Sequence, residues 1–190
     1  MRMKNEEAKN EWNADNHSED SASFTMNICR VSSQQEIEQV AALAEEIWHE
    51  HYEPIIGSKQ VDYMIEKFQS VPAMQEQMEK EGYEYYSMIT SDGLAGYFAF
   101  RKEPEALFLS KLYIAKSYRG RGYARKAMDY MEDYCRTHFL TSIWLTVNRY
   151  NTNSIERYER IGFHKIRTQI ADIGEGYVMD DYIMEKRLAE

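Results

Sequence analysis

Cysteine is scarce: Cys29 and Cys135 stand far apart, no C-x-x-C occurs, and neither a disulfide framework nor a zinc site is suggested. Two free thiols suit a reducing compartment, and a cytoplasmic location is expected. Long apolar runs are missing too. No stretch approaches the ~20 apolar residues needed to span a bilayer, and the opening MRMKNEEAKNEWNADNHSEDSAS has no apolar core for a signal peptide. No membrane partner is expected. Histidine is sparse, and His49 and His51, two apart, point to different sides of a helix and make a poor metal pair. No metal is expected. Positive charge is in deficit, with 23 Lys and Arg against 32 Asp and Glu and a net charge of −9. That balance disfavours nonspecific adhesion to nucleic acid or anionic lipid and favours cationic substrates. A Walker loop is absent as well, so nucleotide triphosphate hydrolysis is unsupported.

What is present is a chain of 190 residues, enough for one domain with a core and a pocket. Aromatics are plentiful, with 15 Tyr, 7 Phe and 3 Trp that can line a groove as well as a core. Residues 1–25 are polar and poor in aliphatics and read as a flexible extension, with a folded domain over 26–190. NICRV at 27–31 reads as a strand. Ser33 and Glu36 have capping-box spacing, and Ile37, Val40, Ala44, Ile47 and Trp48 follow at helical spacing, in a helix expected to end near Pro54. Val61, Met64, Ile65 and Phe68 repeat the pattern, and a shorter helical stretch follows Pro72.

From Tyr83 the period changes. YEYYSMIT, the turn SDG and LAGYFAF form a hairpin, and ALFLSKLYIA adds a third antiparallel strand. Ala124, Ala127, Met128, Met131 and Cys135 then mark a helix, SIWLTVN a strand, and Ile155 and Tyr158 one side of a short helix closed at Gly162. Two last strands complete the chain.

Between the third of these strands and the helix stands YRGRGYARKAM, residues 118–128. Gly120 and Gly122 at the turn leave free backbone N–H groups at the helix start. Glycine lets the backbone approach a phosphate oxygen, and Arg119, Arg121 or Arg125 can add charge-assisted bonds. A pyrophosphate is the expected ligand. The dinucleotide fingerprint G-x-G-x-x-G would need a small residue where Arg125 stands, and an acidic residue near the end of FLTSIWLTV, which has none.

Taken with NTNSIERYERIGF, the segment 107–163 resembles the GNAT superfamily of acyl-CoA-dependent N-acyltransferases. Arg119, Gly122 and Ala124 fit its [QR]-x-x-G-x-[GA] loop, and Asn151, Ser154, Tyr158, Gly162 and Phe163 fit its N-x-x-[AS]-x-x-x-Y-x-x-x-G-F run. The layout is also similar to polyamine-acetylating members. The resemblance implies an α+β fold: a single domain whose mostly antiparallel, twisted sheet has about seven strands, the fourth and fifth splayed, flanked by about four helices. It implies acetyl-CoA as co-substrate, held by Leu112, Tyr113 and Ile114 along the pantetheine arm and by residues 119–125, Tyr123 included, with Asn151, Ser154 and Tyr158. The Leu112 N–H would hold the acyl carbonyl oxygen and the Tyr158 phenol would protonate the departing thiolate.

The implied reaction is acetyl transfer to a primary amine by direct attack. Acidic composition leans towards a small cationic amine, while protein amino groups stay open as acceptors. Trp48, Tyr52 and Asp181 are the candidate acceptor residues. Asp180 and Asp181 point to opposite faces of a strand, so one of them is expected to be solvated. No carboxylate lies in LFLSKLYI to serve as base, which leaves Glu46, His49, Glu50, Glu84 and Tyr85 as candidates. Cys135, inside an apolar stripe, is not expected to be a nucleophile. A noncatalytic acyl-CoA-binding module stays open as an alternative, as does a homodimer.

Overall fold

A computed structural model describes residues 25–188. The extension expected over 1–25 lies, but for Thr25, outside the described residues. The chain runs β1 (Asn27–Arg30), α1 (Gln34–Ile56), α2 (Ser58–Phe68), α3 (Val71–Lys80), β2 (Tyr83–Thr90), β3 (Gly93–Lys102) and β4 (Ala106–Ile114). It continues through a 3-10 turn into α4 (Tyr123–Thr137), β5 (Ser142–Asn148), α5 (Thr152–Arg160), β6 (His164–Gly174) and β7 (Tyr177–Arg187).

The start of α1 is fixed by the expected capping box. The Ser33 hydroxyl accepts from the Glu36 N–H, and the Glu36 carboxylate accepts from the Ser33 N–H at 2.8 Å. Backbone N–H groups of Ser32 and Ser33 hold that carboxyl at about 2. The end of the helix differs from expectation. Pro54 lies inside the last turn, and the helix runs on to Ile56, where the Gly57 N–H donates to the Glu53 carbonyl at 2.9 Å. Proline forfeits only its own bond to the carbonyl four residues back, in the preceding turn, and leaves the residues after it free to stay helical. Five helices flank the sheet, in keeping with the about four expected, and Gly57 and the Gln69–Ser70 turn separate the three of the first third.

Seven strands form one sheet in the order β1-β2-β3-β4-β5-β7-β6, antiparallel everywhere except between β4 and β5. The helix α4 provides the crossover that a parallel pair requires. On one face α4 and α5 bury Tyr123, Ala127, Met128, Met131, Cys135 and Ile155 against Phe98, Phe100, Leu107, Leu109 and the alternating Ile143, Leu145 and Val147. On the other, α1 to α3 cover Tyr85, Tyr97, Ala99 and Tyr113. Each large apolar side chain so buried contributes roughly 1.5–3 kcal/mol.

The β4–β5 junction positions the site. Pairing covers four rows only, Ala106–Leu109 against Ser142–Leu145. Beyond them β4 stays with β3 as far as Ile114, while β5 stays with β7 as far as Asn148. The sheet divides there, as the expected splaying of strands four and five requires. One extra residue in β4 accompanies the split: Phe100 faces Leu109 but Phe98 faces Leu112, a bulge that turns the strand away from its parallel partner.

Candidate active site

The split opens into a cavity of about 1180 Å³ whose wall is drawn from α1, β4, the loop before α4, β5, α5 and β7. At one end lies the loop of the RGRG motif. Gly120 and Gly122 have φ of 81° and 79°, left-handed values that a side chain would strain, and no heavy atom lies within 4 Å of where a Cβ would stand. Gly122 caps α4 without a side-chain bond, so the first N–H groups of a fifteen-residue helix are left for a ligand. The hydroxyl of Tyr123, which also borders the cavity, is buried with no hydrogen-bond partner. These features fit an anionic group.

The arginines are tethered rather than loose. Arg119 Nε donates to the Ile114 carbonyl and its Nη1 to Glu50 Oε1, each at 3.0 Å. Arg125 Nε pairs with Asp129 at 2.9 Å, one turn along α4. Arg119 and Arg125 border the cavity with Ala124, whereas Arg121 packs over the Tyr118 ring and is not on the wall.

In the middle of the cavity the free edge of β4, from Ser110 to Ile114, faces α5. Leu112, Tyr113 and Ile114 are all on the wall. Opposite stands Tyr158, whose phenol burial pushes above its ordinary pKa, so that the proton stays on and can be donated. Asn151 caps α5, its Oδ1 accepting from the Ser154 N–H at 3.3 Å, while its Nδ2 lies 3.1 Å from His51 Nε2. Both Asn151 and Ser154 border the cavity.

The far wall is aromatic. Trp48 and Tyr52, one turn apart on α1, have ring centroids 4.6 Å apart, and the Tyr52 hydroxyl lies 3.3 Å from that of Tyr113. Asp181 of β7 also faces this space and is 5% exposed. Burial, then the charge of Asp180, raise its pKa to about 6, with a Thr146 hydrogen bond opposing. Asp180 points away, as alternation demands, yet it is not simply solvated: Arg149 Nε lies 2.9 Å from its carboxylate.

All the expected site residues except Arg121 thus meet around one cavity. The candidate bases do not. Glu46 and His49 are off the wall, the latter between Glu53 at 2.6 Å and Asp62 at 3.6 Å. Glu50 holds Arg119, Glu84 accepts from the Tyr86 and Tyr134 hydroxyls, and Tyr85 donates to Gln77.

Among the wall residues that the sequence did not single out for the site are His51 and Lys111. His51 is half-buried, with its pKa lowered by burial and then by Arg119; the signal was its place one turn after Trp48. Lys111, in the β4 bulge, donates to the Phe68 carbonyl at 3.1 Å, to Gln77 at 2.7 Å and to the Tyr85 hydroxyl, and burial pulls its pKa to about 7. No sequence pattern marks a bulge whose extra residue is set by a partner strand. Cys135 is buried and its thiol pushed up to about 12 by burial, so it is inert. Among the described residues there is no group of three or more His, Cys, Asp or Glu side chains placed to hold a metal ion, and no helix is long and apolar enough to cross a membrane.

Comparison with known proteins gives a consistent result. Residues 40–163 match the family model described as Acetyltransferase (GNAT) family. The PaiA N-acetyltransferase of Thermoplasma acidophilum, solved with coenzyme A, superposes with a TM-score of 0.71 at 18% identity, over 86% of this chain and 99% of that one. A GCN5-related N-acetyltransferase structure from Rhodopseudomonas palustris gives 0.72 at 14% identity, over 86% and 96%. The ribosomal-protein-S18-alanine N-acetyltransferase of Escherichia coli gives 0.63 at 15% identity, over 87% and 96%. At such identities the likeness to these structures is one of fold. No curated protein sequence matches the chain.

Proposed function

The chain belongs to the acetyltransferase (GNAT) family, and on that premise we propose that it transfers the acetyl group of acetyl-CoA to a primary amine, a small cationic one, by direct attack in a ternary complex. The observation that carries this reading is the gap between β4 and β5, which joins the glycine loop at 120–122 to the aromatic pocket at Trp48 and Tyr52.

Acetyl-CoA supplies a thioester as acyl donor. N–H groups at the start of α4, with Arg119 and Arg125, hold the pyrophosphate, and Tyr123, Asn151 and Ser154 line its path. The free edge at Leu112, Tyr113 and Ile114 offers main-chain partners to the amides of the pantetheine arm, much as a neighbouring strand would. Within it the Leu112 N–H faces the acyl oxygen, where a fixed donor is typically worth about 2.7–4 kcal/mol as negative charge builds. Tyr158 keeps its proton until sulfur departs and donates it there. Trp48 and Tyr52 wall the alkyl part of the acceptor, and Asp181 faces its nitrogen. The scarcity of cysteine supports a cytoplasmic setting for this activity.

Calorimetry with coenzyme A, together with thiol release from acetyl-CoA in the presence of a panel of primary amines, tests this. We expect binding and turnover of small alkylamines or polyamines. No heat with coenzyme A would overturn the proposal; heat without turnover of any amine would leave a binding module in its place.

A further inference from the structure

We propose that Asp181 is the base of the reaction, taking a proton from the incoming ammonium so that the nitrogen lone pair can attack. This rests on the transfer reading above and supplies the group that the strand LFLSKLYI lacks.

Register sets the position. Asp181 pairs with Asn148, the last residue of β5, and with Gln169 of β6, so it stands beyond the point where β4 and β5 part, on the rim of the gap. Its side chain is buried, and among the described residues it has no ion-pair partner, although a buried carboxylate normally keeps a cation. The nearby arginine, Arg149, is held by Asp180 on the other face. The groups that meet Asp181 are Asp180 on its own strand, Thr146 of β5 and the Tyr52 hydroxyl of α1. None is cationic, so an amine entering the pocket would be the first positive charge that Asp181 meets.

Tyr52, Tyr158 and Asp181 all border the same cavity, so the proton acceptor and the proton donor face one space. Of the other basic groups on the wall, Lys111 is committed to the Phe68 carbonyl, Gln77 and the Tyr85 hydroxyl, and His51 is engaged as well. With Asn151 Nδ2 donating to His51 Nε2, the lone pair of the neutral imidazole is occupied. Burial keeps Asp181 close enough to neutrality to accept a proton and release it again at each turnover.

The proton balance closes. An ammonium N–H bond breaks and the proton passes to Asp181, while the freed lone pair forms the C–N bond to the acetyl carbon. When the C–S bond breaks, sulfur takes the phenolic proton of Tyr158, and the phenolate recovers one from the new amide nitrogen. Asp181 then gives its proton to solvent, one per acetyl group transferred.

The test compares the wild type with Asp181→Asn on two substrates, the best alkylamine of the panel and its β,β-difluorinated analogue. The pH is set well above the lowered pKa of the fluorinated amine, where that amine is uncharged and the alkylamine is still charged. Melting and coenzyme A calorimetry confirm that the variant is folded and loaded. We expect kcat for the alkylamine at saturation to fall on the order of 10²–10⁴-fold, kcat for the fluorinated amine to change only a few-fold, and the acid limb of the wild-type kcat/KM profile, near pH 6, to vanish. A loss confined to KM, or an equal loss of kcat for the two amines, would make Asp181 a cation site or a structural residue and overturn the assignment. Unchanged turnover would overturn it too, with the transfer reading intact. Failure of the wild type on every amine would remove the transfer reading and this inference together.

Discussion

Arg119 Nη1 stands 3.0 Å from Glu50 Oε1, joining the first helix to the glycine loop across 69 residues of chain. The guanidinium that is to meet a pyrophosphate is therefore already oriented by a carboxylate, and anchored a second time through Nε on the Ile114 carbonyl. In the proposed complex Glu50 would both aim the arginine and compete with the phosphate for it.

Glu50→Gln should tighten coenzyme A binding. Both side chains are about 30% exposed, so the pair falls in the range of about 0.2–1 kcal/mol measured for such contacts, or up to roughly fivefold in Kd. Titration calorimetry at low salt reads it directly. Weaker binding would show that orientation outweighs competition.

Tyr158→Phe keeps the ring that packs against Phe163, at 5.4 Å between centroids, and removes only the hydroxyl. Turnover should drop by about 10²-fold or more, within the span usual for a lost general acid, while coenzyme A affinity changes little. Steady-state kinetics beside calorimetry separates the two quantities, and undiminished turnover would exclude the phenol from proton transfer.

Gly122→Ala places a Cβ on a residue at φ 79°, at a cost of roughly 1–2 kcal/mol. For a chain of this size that lowers Tm by about 2–4 °C per kcal/mol. Coenzyme A affinity should fall about tenfold as the first turn of α4 shifts. An unaltered Kd with a lowered Tm would mean that the loop does not hold the diphosphate.

Asp181→Asn should stabilise the fold at neutral pH even as it impairs catalysis. Because the folded pKa is raised from 3.8 to about 6, the folded chain retains a proton that the unfolded chain has lost between those values, and stability falls as pH rises through the window. At about 1.4 kcal/mol per unit the penalty reaches about 3 kcal/mol above pH 6. The variant should melt higher than the wild type at pH 7.5 and alike near pH 4. A constant difference across that range would show that Asp181 is not held up by burial.

Local features were legible in the sequence, because a few consecutive residues decide them. The Ser33–Glu36 box, the SDG hairpin and the glycines before α4 each depend on chemistry within four or five positions. Pro54 misled for a physical reason: the loss of one N–H near the end of a 23-residue helix is smaller than the gain from continuing it to a glycine. The proposed base was hidden because Asp181 becomes a buried, unpaired carboxylate only once β7 is registered against β5 and α1 is laid across the gap. The same holds for Lys111, whose three acceptors come from a helix end, a side chain of α3 and a side chain of β2, two strands away in the sheet.

The four rungs of parallel pairing that join the two halves of the sheet also act as a fulcrum. At their centre Phe108 faces Trp144, the rings stacked at 4.0 Å, and the indole N–H is tied to Glu103 at 3.0 Å. From Leu109 the arm of β4 extends to Ile114, on the order of 15 Å at ~3.3 Å per residue, so a small rotation at this aromatic clasp becomes a large change in aperture at the far end. The clasp thus marks the hinge line from which the gap widens.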